Sequence, residues 1–211
     1  MKSDDLFIAR AGDRPIPPGH LSELRSGPRA ELIVSEAHGR YFESTFRGKT
    51  FMVSTSVAGV APGTALSTTP PMAIWNPLNS GVLLSIERAF VGYVSGTLGA
   101  GSMVCAIASG QNVTLPSGGT QLSIRSSGSK ALAFQGSTLA NTPTLIRPSI
   151  LLGAALDTSV QFPTAPACDD IAGSILIYPG SVFVYQGVAA AGASPLVMLA
   201  IQFEEVPVNP N

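Results

Sequence analysis

Val82-Leu83-Leu84-Ser85-Ile86-Glu87-Arg88-Ala89-Phe90-Val91-Gly92-Tyr93-Val94 is the longest unbroken strand-like run in the chain, and its reading decides the fold. Successive side chains alternate faces on an extended backbone. Val82, Leu84, Ile86, Phe90 and Val94 therefore share one side, while Leu83, Ser85, Glu87, Ala89, Val91 and Tyr93 share the other. The pattern predicts a strand inside a sheet, with one buried face and one partly covered face. Glu87-Arg88 interrupts it with the only charges between Lys49 and Arg125. On an ideal strand these adjacent side chains point to opposite faces and cannot pair. Either a bulge or a sheet end lets Arg88, on the more apolar side, reach solvent, or Arg88 is desolvated and paired across a subunit contact. Glu87 and Arg88 are the candidate subunit-contact residues.

Outward from this run, short extended segments alternate with Gly, Pro, Ser and Asn clusters. Strands are expected near 50–57, 64–68, 71–76, 82–95, 102–109, 120–125, 130–135, 150–155, 174–178, 181–188 and 195–206. Breaks fall at 61–63, 76–81, 96–101, 116–119, 126–129, 141–143 and 162–170. The last strand is the cleanest: Val197, Leu199, Ile201 and Phe203 oppose Met198, Ala200, Gln202 and Glu204. No capped amphipathic helical pattern appears in this region. Short strands at this spacing are the mark of a sandwich or barrel and not of βαβ units. The fold class expected is all-β, a jelly-roll-like sandwich of about 8–10 short antiparallel strands behind an extended N-terminal arm.

Charge divides the chain more sharply than pattern does. Of 25 Lys, Arg, Asp and Glu residues, fifteen lie at or before Lys49, leaving ten in the 162 residues that follow. That is about 6%, against roughly 25% in an ordinary soluble domain. Residues 1–49 read as a charged arm and lead-in, and 50–211 as the sandwich body. A body so poor in charge must cover itself with Ser, Thr, Gly, Asn and Gln, or bury surface against other chains. Within the arm, Pro15, Pro17, Pro18 and Pro28 leave room only for short helical pieces, yet Phe7, Ile8 and Leu21 supply more apolar anchors than a free tail needs. Segments 31–35 and 41–46 read as extended, although 31–37 could be helical. The net charge of −1 gives no general attraction to nucleic acid or to an anionic membrane. The acids of Met1-Lys2-Ser3-Asp4-Asp5 stand where a signal peptide carries its apolar core, so secretion is not expected. The uncharged span 171–203 is cut by Tyr178-Pro179-Gly180 and Gly192-Ala193-Ser194-Pro195 into pieces too short to cross a bilayer as a helix.

The search for catalytic chemistry returns little. His20 and His38, the two histidines, precede the body, so the histidine-carboxylate cluster of a metal-dependent cupin cannot form there. G-x-S-x-G, H-E-x-x-H and the P-loop pattern are absent. Gly96-Thr97-Leu98-Gly99-Ala100-Gly101 precedes a strand instead of a helix, which argues against a phosphate cradle. Cys105 reads as a small buried apolar residue, and Cys105 with Cys168 makes neither a zinc site nor a disulfide framework. Asp169-Asp170, with Asp157, could contribute carboxylates to a Ca²⁺ site, though a solvated loop is the simpler reading. No enzyme activity, cofactor or metal is expected.

Ala37-His38-Gly39-Arg40-Tyr41-Phe42-Glu43-Ser44-Thr45-Phe46-Arg47-Gly48-Lys49-Thr50-Phe51 resembles a segment of structural proteins of tailed bacteriophages that leads into a low-charge β-sandwich. The similarity continues through the Asn76–Gly81 turn and the apolar strand behind it, and resumes at Ser194-Pro195-Leu196-Val197-Met198 and Glu204-Glu205-Val206-Pro207. The resemblance implies a virion component of the capsid decoration (cement) type, made in the host cytoplasm and seated as a trimer on the head exterior. Its partner would be the major capsid protein, with many weak contacts acting together to stiffen the shell. Arg25, Arg29, Arg40 and Arg47 would then meet acidic capsid surface, with Phe7, Ile8 and Leu21 as apolar anchors. The alternative is a host-glycan-binding or tail-associated β-sandwich. Such a module displays exposed aromatic side chains, and the single tryptophan, Trp75, reads as a strand end near the core.

Overall fold

The structure is a computed structural model that describes residues 39–110, 116–125, 128–152, 167–189 and 192–208. The chain divides into two units, Met1–Glu43 and Ser44–Asn211. Of the first, only 39–43 are described. There the Phe42 N–H donates to the Gly39 carbonyl at 2.8 Å, and the Arg40 guanidinium lies 5.3 Å from the centre of the Tyr41 ring.

Where an extended run over 41–46 is expected, the chain forms a five-residue helix, α1 (Phe42–Phe46). Its stop signal is local. Gly48 adopts φ 66°, its N–H donates to Thr45 O at 3.0 Å, and the Lys49 N–H donates to Ser44 O at 2.8 Å. A glycine in the left-handed region lets the chain turn back and satisfy the last helical carbonyls.

Eleven strands follow among the described residues: β1 (Thr50–Ser54), β2 (Met72–Asn76), β3 (Val82–Ser95), β4 (Gly101–Ser109), β5 (Thr120–Leu122), β6 (Ile124–Arg125), β7 (Leu132–Gln135), β8 (Thr144–Leu152), β9 (Ala167–Ile177), β10 (Ser181–Val188) and β11 (Leu196–Pro207). They form two antiparallel sheets, ordered β6-β1-β11-β3-β9 and β5-β7-β2-β10-β4-β8. The all-β sandwich is therefore the observed fold class. The pairing is nested: β1 with β11, β2 with β10, β3 with β9 and β4 with β8. The chain runs out and back as one long hairpin wrapped across both sheets. Among the described residues no helix is long and apolar enough to cross a membrane.

Four expected strands change, one of them 120–125, which divides at Ser123 into β5 and β6 of different sheets. Residues 64–68 pair with no strand and instead lie in a loop, held by single bonds such as Ala189 N–H to Thr64 O at 2.8 Å. The strand placed at 150–155 begins at Thr144 and runs through Pro148. Proline lacks a ladder donor, and it is tolerated here because β8 is an edge strand. The strand at 174–178 begins at Ala167, so Cys168, Asp169 and Asp170 lie on a strand and not in a solvated loop.

The core fills the space between the sheets. Phe51 and Val53 from β1 join Leu199, Ile201 and Phe203 from β11; Met72, Ile74, Phe183, Tyr185 and Met103 face them from the other sheet. The rings of Phe51 and Phe203 stack at 5.6 Å between centres. Phe203, Phe183 and Tyr185 are fully buried.

Two buried polar side chains brace one end of this core. Asn76 Nδ2 donates to Val82 O at 2.8 Å and to Ile177 O at 2.9 Å, so an amide on β2 ties down β3 and β9 of the opposite sheet. Glu205 Oε1 accepts from Ser129 Oγ (2.6 Å) and from the N–H groups of Lys130 (2.8 Å) and Ala131 (3.2 Å), fastening the turn before β7 to the end of β11. Replacing Asn76 with Leu removes both donors from buried carbonyls. The expected cost is about 2–4 kcal/mol, which lowers Tm by roughly 5–15 °C for a domain of this size. Differential scanning calorimetry checks it, and a Tm within 2 °C of the parent would show that the brace contributes nothing.

Candidate interaction face

The two sheets differ in what lies over their outer faces. On the six-stranded sheet, Ala73, Trp75, Phe134, Val182, Val184, Ala106 and Ala108 point outward yet are buried, because Leu66 and Leu139 from loops pack onto them. The covering loop is stitched down at Gly187, whose N–H donates to Pro62 O at 2.5 Å. A Cβ at position 187 would stand 2.9 Å from Gly63 O, so only glycine allows the loop to cross there. Gln186 Nε2 adds a side-chain bond to Ala65 O. Trp75 is 3% exposed inside this second apolar layer, and its ring has no free face on which a sugar could stack.

The outer face of the five-stranded sheet keeps its apolar side chains at the surface. Met52 and Met198 are 38% and 37% exposed, and Leu176 and Val206 slightly more. Arg125, Met52, Gln202, Arg88 and Asp170 sit side by side across all five strands, as their registers show. Ser54, Ala200, Phe90 and Cys168 make the next row.

A bulge in β3 shapes this face. Ile86 pairs with Phe203 and Arg88 with Gln202, leaving Glu87 as an extra residue without a register partner. The inserted residue shifts the alternation by one position. Val82, Leu84 and Ile86 face the core before it, and Ala89 and Val91 face the core after it. Phe90 and Val94, expected on the core side, are only half-buried. On β9 the same site spans four extra residues, Ile171 to Ser174, between the partners Asp170 and Ile175. Ala172 and Gly173 turn the chain there with φ of 56° and 76°.

The bulge brings both members of the charge pair to the same face, each with its own partner. Glu87 is buried, and Ser85 Oγ donates to its Oε1 at 2.9 Å. Gly173 closes over the two; a Cβ there would lie 2.9 Å from Ser85 Oγ and 3.4 Å from Glu87 Oε1. Arg88 Nε lies 3.7 Å from Asp170 Oδ1. The bulge reading of Arg88 thus holds, and its ion pair lies within the chain. Partial burial, and then the neighbouring Glu87 carboxylate, push the Glu204 carboxyl above its ordinary range, with Lys49 opposing.

A second charged group closes the side of the sandwich where β8 and β9, the edge strands of the two sheets, meet. Arg147 Nη2 lies 3.0 Å from Asp169 Oδ1 and 2.9 Å from Oδ2. Ser149 Oγ donates to Asp169 Oδ2 at 2.6 Å and lies 3.1 Å from the Tyr185 hydroxyl. This latch stands beside Cys105, whose thiol is pushed up to about 12 by burial, with Arg147 opposing. Burial also raises the Tyr185 hydroxyl above its usual value, with the Ser149 hydrogen bond opposing.

The candidate site residues fall in different places. Phe7, Ile8, Leu21, Arg25 and Arg29 lie outside the described residues. Arg40 and Arg47 are both exposed. Asp157 also lies outside the described residues, and Asp169 and Asp170 each face a guanidinium, which argues against their sharing a Ca²⁺ ion. Among the described residues no three His, Cys, Asp or Glu side chains come together as a metal site. Sequence reasoning missed the Arg147-Ser149-Asp169-Tyr185 latch. Its one signal is that Arg147 and Asp169 are among so few charges in the body. A surface groove of about 570 Å³ beside Gln121, Ser123 and Ser129 shows no cluster of titratable groups. No family model, curated protein or solved structure matches the chain.

Two measurements probe these groups. Cys168 is exposed and Cys105 is buried, so a thiol reagent at pH 8 should label Cys168 at once and Cys105 slowly. Asp169→Ala should speed Cys105 labelling at least tenfold, and unchanged labelling would show that the latch does not hold the seam. Glu204 holds its proton more tightly folded than unfolded, so its ionisation costs stability as pH rises through and above the ordinary glutamate range. Glu204→Gln should therefore melt higher than the parent at pH 8, with the gap closing at pH 4. A gap that is constant across this range would refute the assignment.

Proposed function

We propose that the chain is a structural protein of a bacteriophage particle, a decoration-type component that lies on the head and binds its shell in many copies. The observation that carries this reading is the pairing of a wrapped-hairpin sandwich with one self-covered face and one face that keeps Met52, Met198 and Leu176 at the surface. Strand order 1-11-3-9 opposite 2-10-4-8 is the order of a jelly roll, an architecture that viral shell proteins share with lectins and cupins. Sandwiches of this kind serve many roles, so the surface must decide among them. A cupin-type site needs histidines, and the described residues contain none. A sugar-stacking site would want exposed aromatic rings gathered together; Trp75 is buried, and the exposed Tyr93 and Tyr178 lie toward opposite ends of the sandwich. What remains is a broad contact face, together with the phage-like segment 37–51.

In this reading the arm over 1–49 adds contacts to those of the body. Arg40 and Arg47, both exposed, would meet acidic shell surface. Repetition over a shell multiplies weak contacts into firm attachment. The direct test is to fractionate phage particles from the source and count this protein per particle by quantitative mass spectrometry. Hundreds of copies on DNA-filled heads are expected. A handful per particle would point to a tail or portal-vertex component, and absence from particles would end the reading. In a reconstituted binding assay, Arg40→Glu with Arg47→Glu should weaken attachment about tenfold through like-charge repulsion, and deletion of 1–28 should weaken it further.

A further inference from the structure

We propose that Glu87, Ser85 and Glu204 form a proton-binding clamp that seats the β9 bulge on the five-stranded sheet, closed while the two carboxyls hold a proton and loosened when both are ionised. The clamp is built by register. Thr50, Glu204, Ser85 and Leu176 lie side by side on β1, β11, β3 and β9. Directly paired side chains on one face stand about 5 Å apart at Cβ, so Glu204 flanks Ser85 from β11. Glu87 reaches the same hydroxyl along β3, where its Oε1 accepts from Ser85 Oγ at 2.9 Å. From β9, Gly173 closes over both.

Two carboxyls around one hydroxyl cannot both ionise without repulsion. Glu87 is buried, so solvent ions screen that repulsion little. Burial, and then the Glu87 carboxylate, hold the Glu204 proton in place, and Lys49, just before β1, is the cation that opposes them. The other charged groups of the surrounding elements are engaged or turned away. Arg88 faces Asp170, Asp169 faces Arg147, and Glu205 accepts from the turn before β7. Arg47 is exposed beyond α1, and Arg125 sits on β6 in the row of Met52. The part that yields is on β9, an edge strand. Ala172 takes φ 56° there, a left-handed conformation that is costly for a residue with a Cβ. With both carboxylates charged, Glu87 moves from beneath Gly173 toward water, and the 171–174 bulge loses the surface on which it rests. A carboxyl that binds its proton more tightly folded than unfolded stabilises at low pH, and that stability is lost as pH rises through its folded value. The clamp therefore tightens as pH falls.

The test uses the full chain alone, so its result is separate from the phage reading. Amide exchange over 170–175, corrected for its intrinsic pH dependence, should report opening about tenfold more frequent at pH 7.5 than at pH 4.5. Glu204→Gln should reduce that ratio to about twofold or less. NMR titration of the glutamate carboxyls adds two opposite signs. Glu87→Gln should lower the Glu204 midpoint and Lys49→Gln should raise it, each by about 0.5 pH. Lys49 is exposed, so its variant keeps the test valid if Glu87→Gln, which alters a buried hydrogen bond, disturbs the fold. Opening that does not change with pH, or a Glu204 midpoint unmoved by either neighbour, would overturn the proposal.

Discussion

The single residue inserted in β3 at Glu87 is the constraint from which the five-stranded sheet takes its form. A strand of fourteen residues that kept strict alternation would turn Arg88 toward the core beside Ile86. An unpaired guanidinium there would be far more costly than a bulge. The bulge moves Arg88 outward to Asp170 and brings Ala89 and Val91 into the core instead. Glu87 is left under Gly173 with Ser85 as donor, and β9 must loop around it. One inserted residue thereby fixes two strands, one ion pair and the polar centre of the outer face.

The same economy of charge runs through the rest of the body. Asn76 and Glu205 brace one end from opposite sheets by donating to, or accepting from, backbone groups that the strand ladders leave unmet. Such groups must find partners when buried. The two long sides close differently. On one, β5 runs straight into β6, so the chain itself passes from one sheet to the other at Ser123. On the other, β8 and β9 are joined through side chains, by Asp169 holding Arg147 and Ser149.

The two sheets differ in what the described residues do with the apolar side chains of their outer faces. Trp75 and Phe134 point outward on the six-stranded sheet and are buried by the chain's own loops. Met52, Met198 and Leu176 point outward on the other and stay at the surface. Apolar surface rimmed by a few charges is the usual form of an interface. Arg125, Arg88 and Asp170 lie in one row across that face.

Much of this was legible from residue order. The runs at 82–95, 181–188 and 195–206 became β3, β10 and β11 nearly as drawn, because alternation and turn residues act locally. The low charge of the body is likewise read directly from residue order. The phase change at Glu87 was not legible in detail. Sequence offered a bulge as one of two accounts, but which residues cross to the core depends on Phe203 and Gln202, more than a hundred positions away. Residues 41–46 became a helix because Gly48 caps it, and 64–68 became a cover because Gly187 lets it cross. The sequence by itself determined that the chain is β, where most strands lie and how little charge guards their surface. Tertiary structure alone decided which face is covered, which charges meet and which side is latched, since those depend on contacts between residues far apart in the chain.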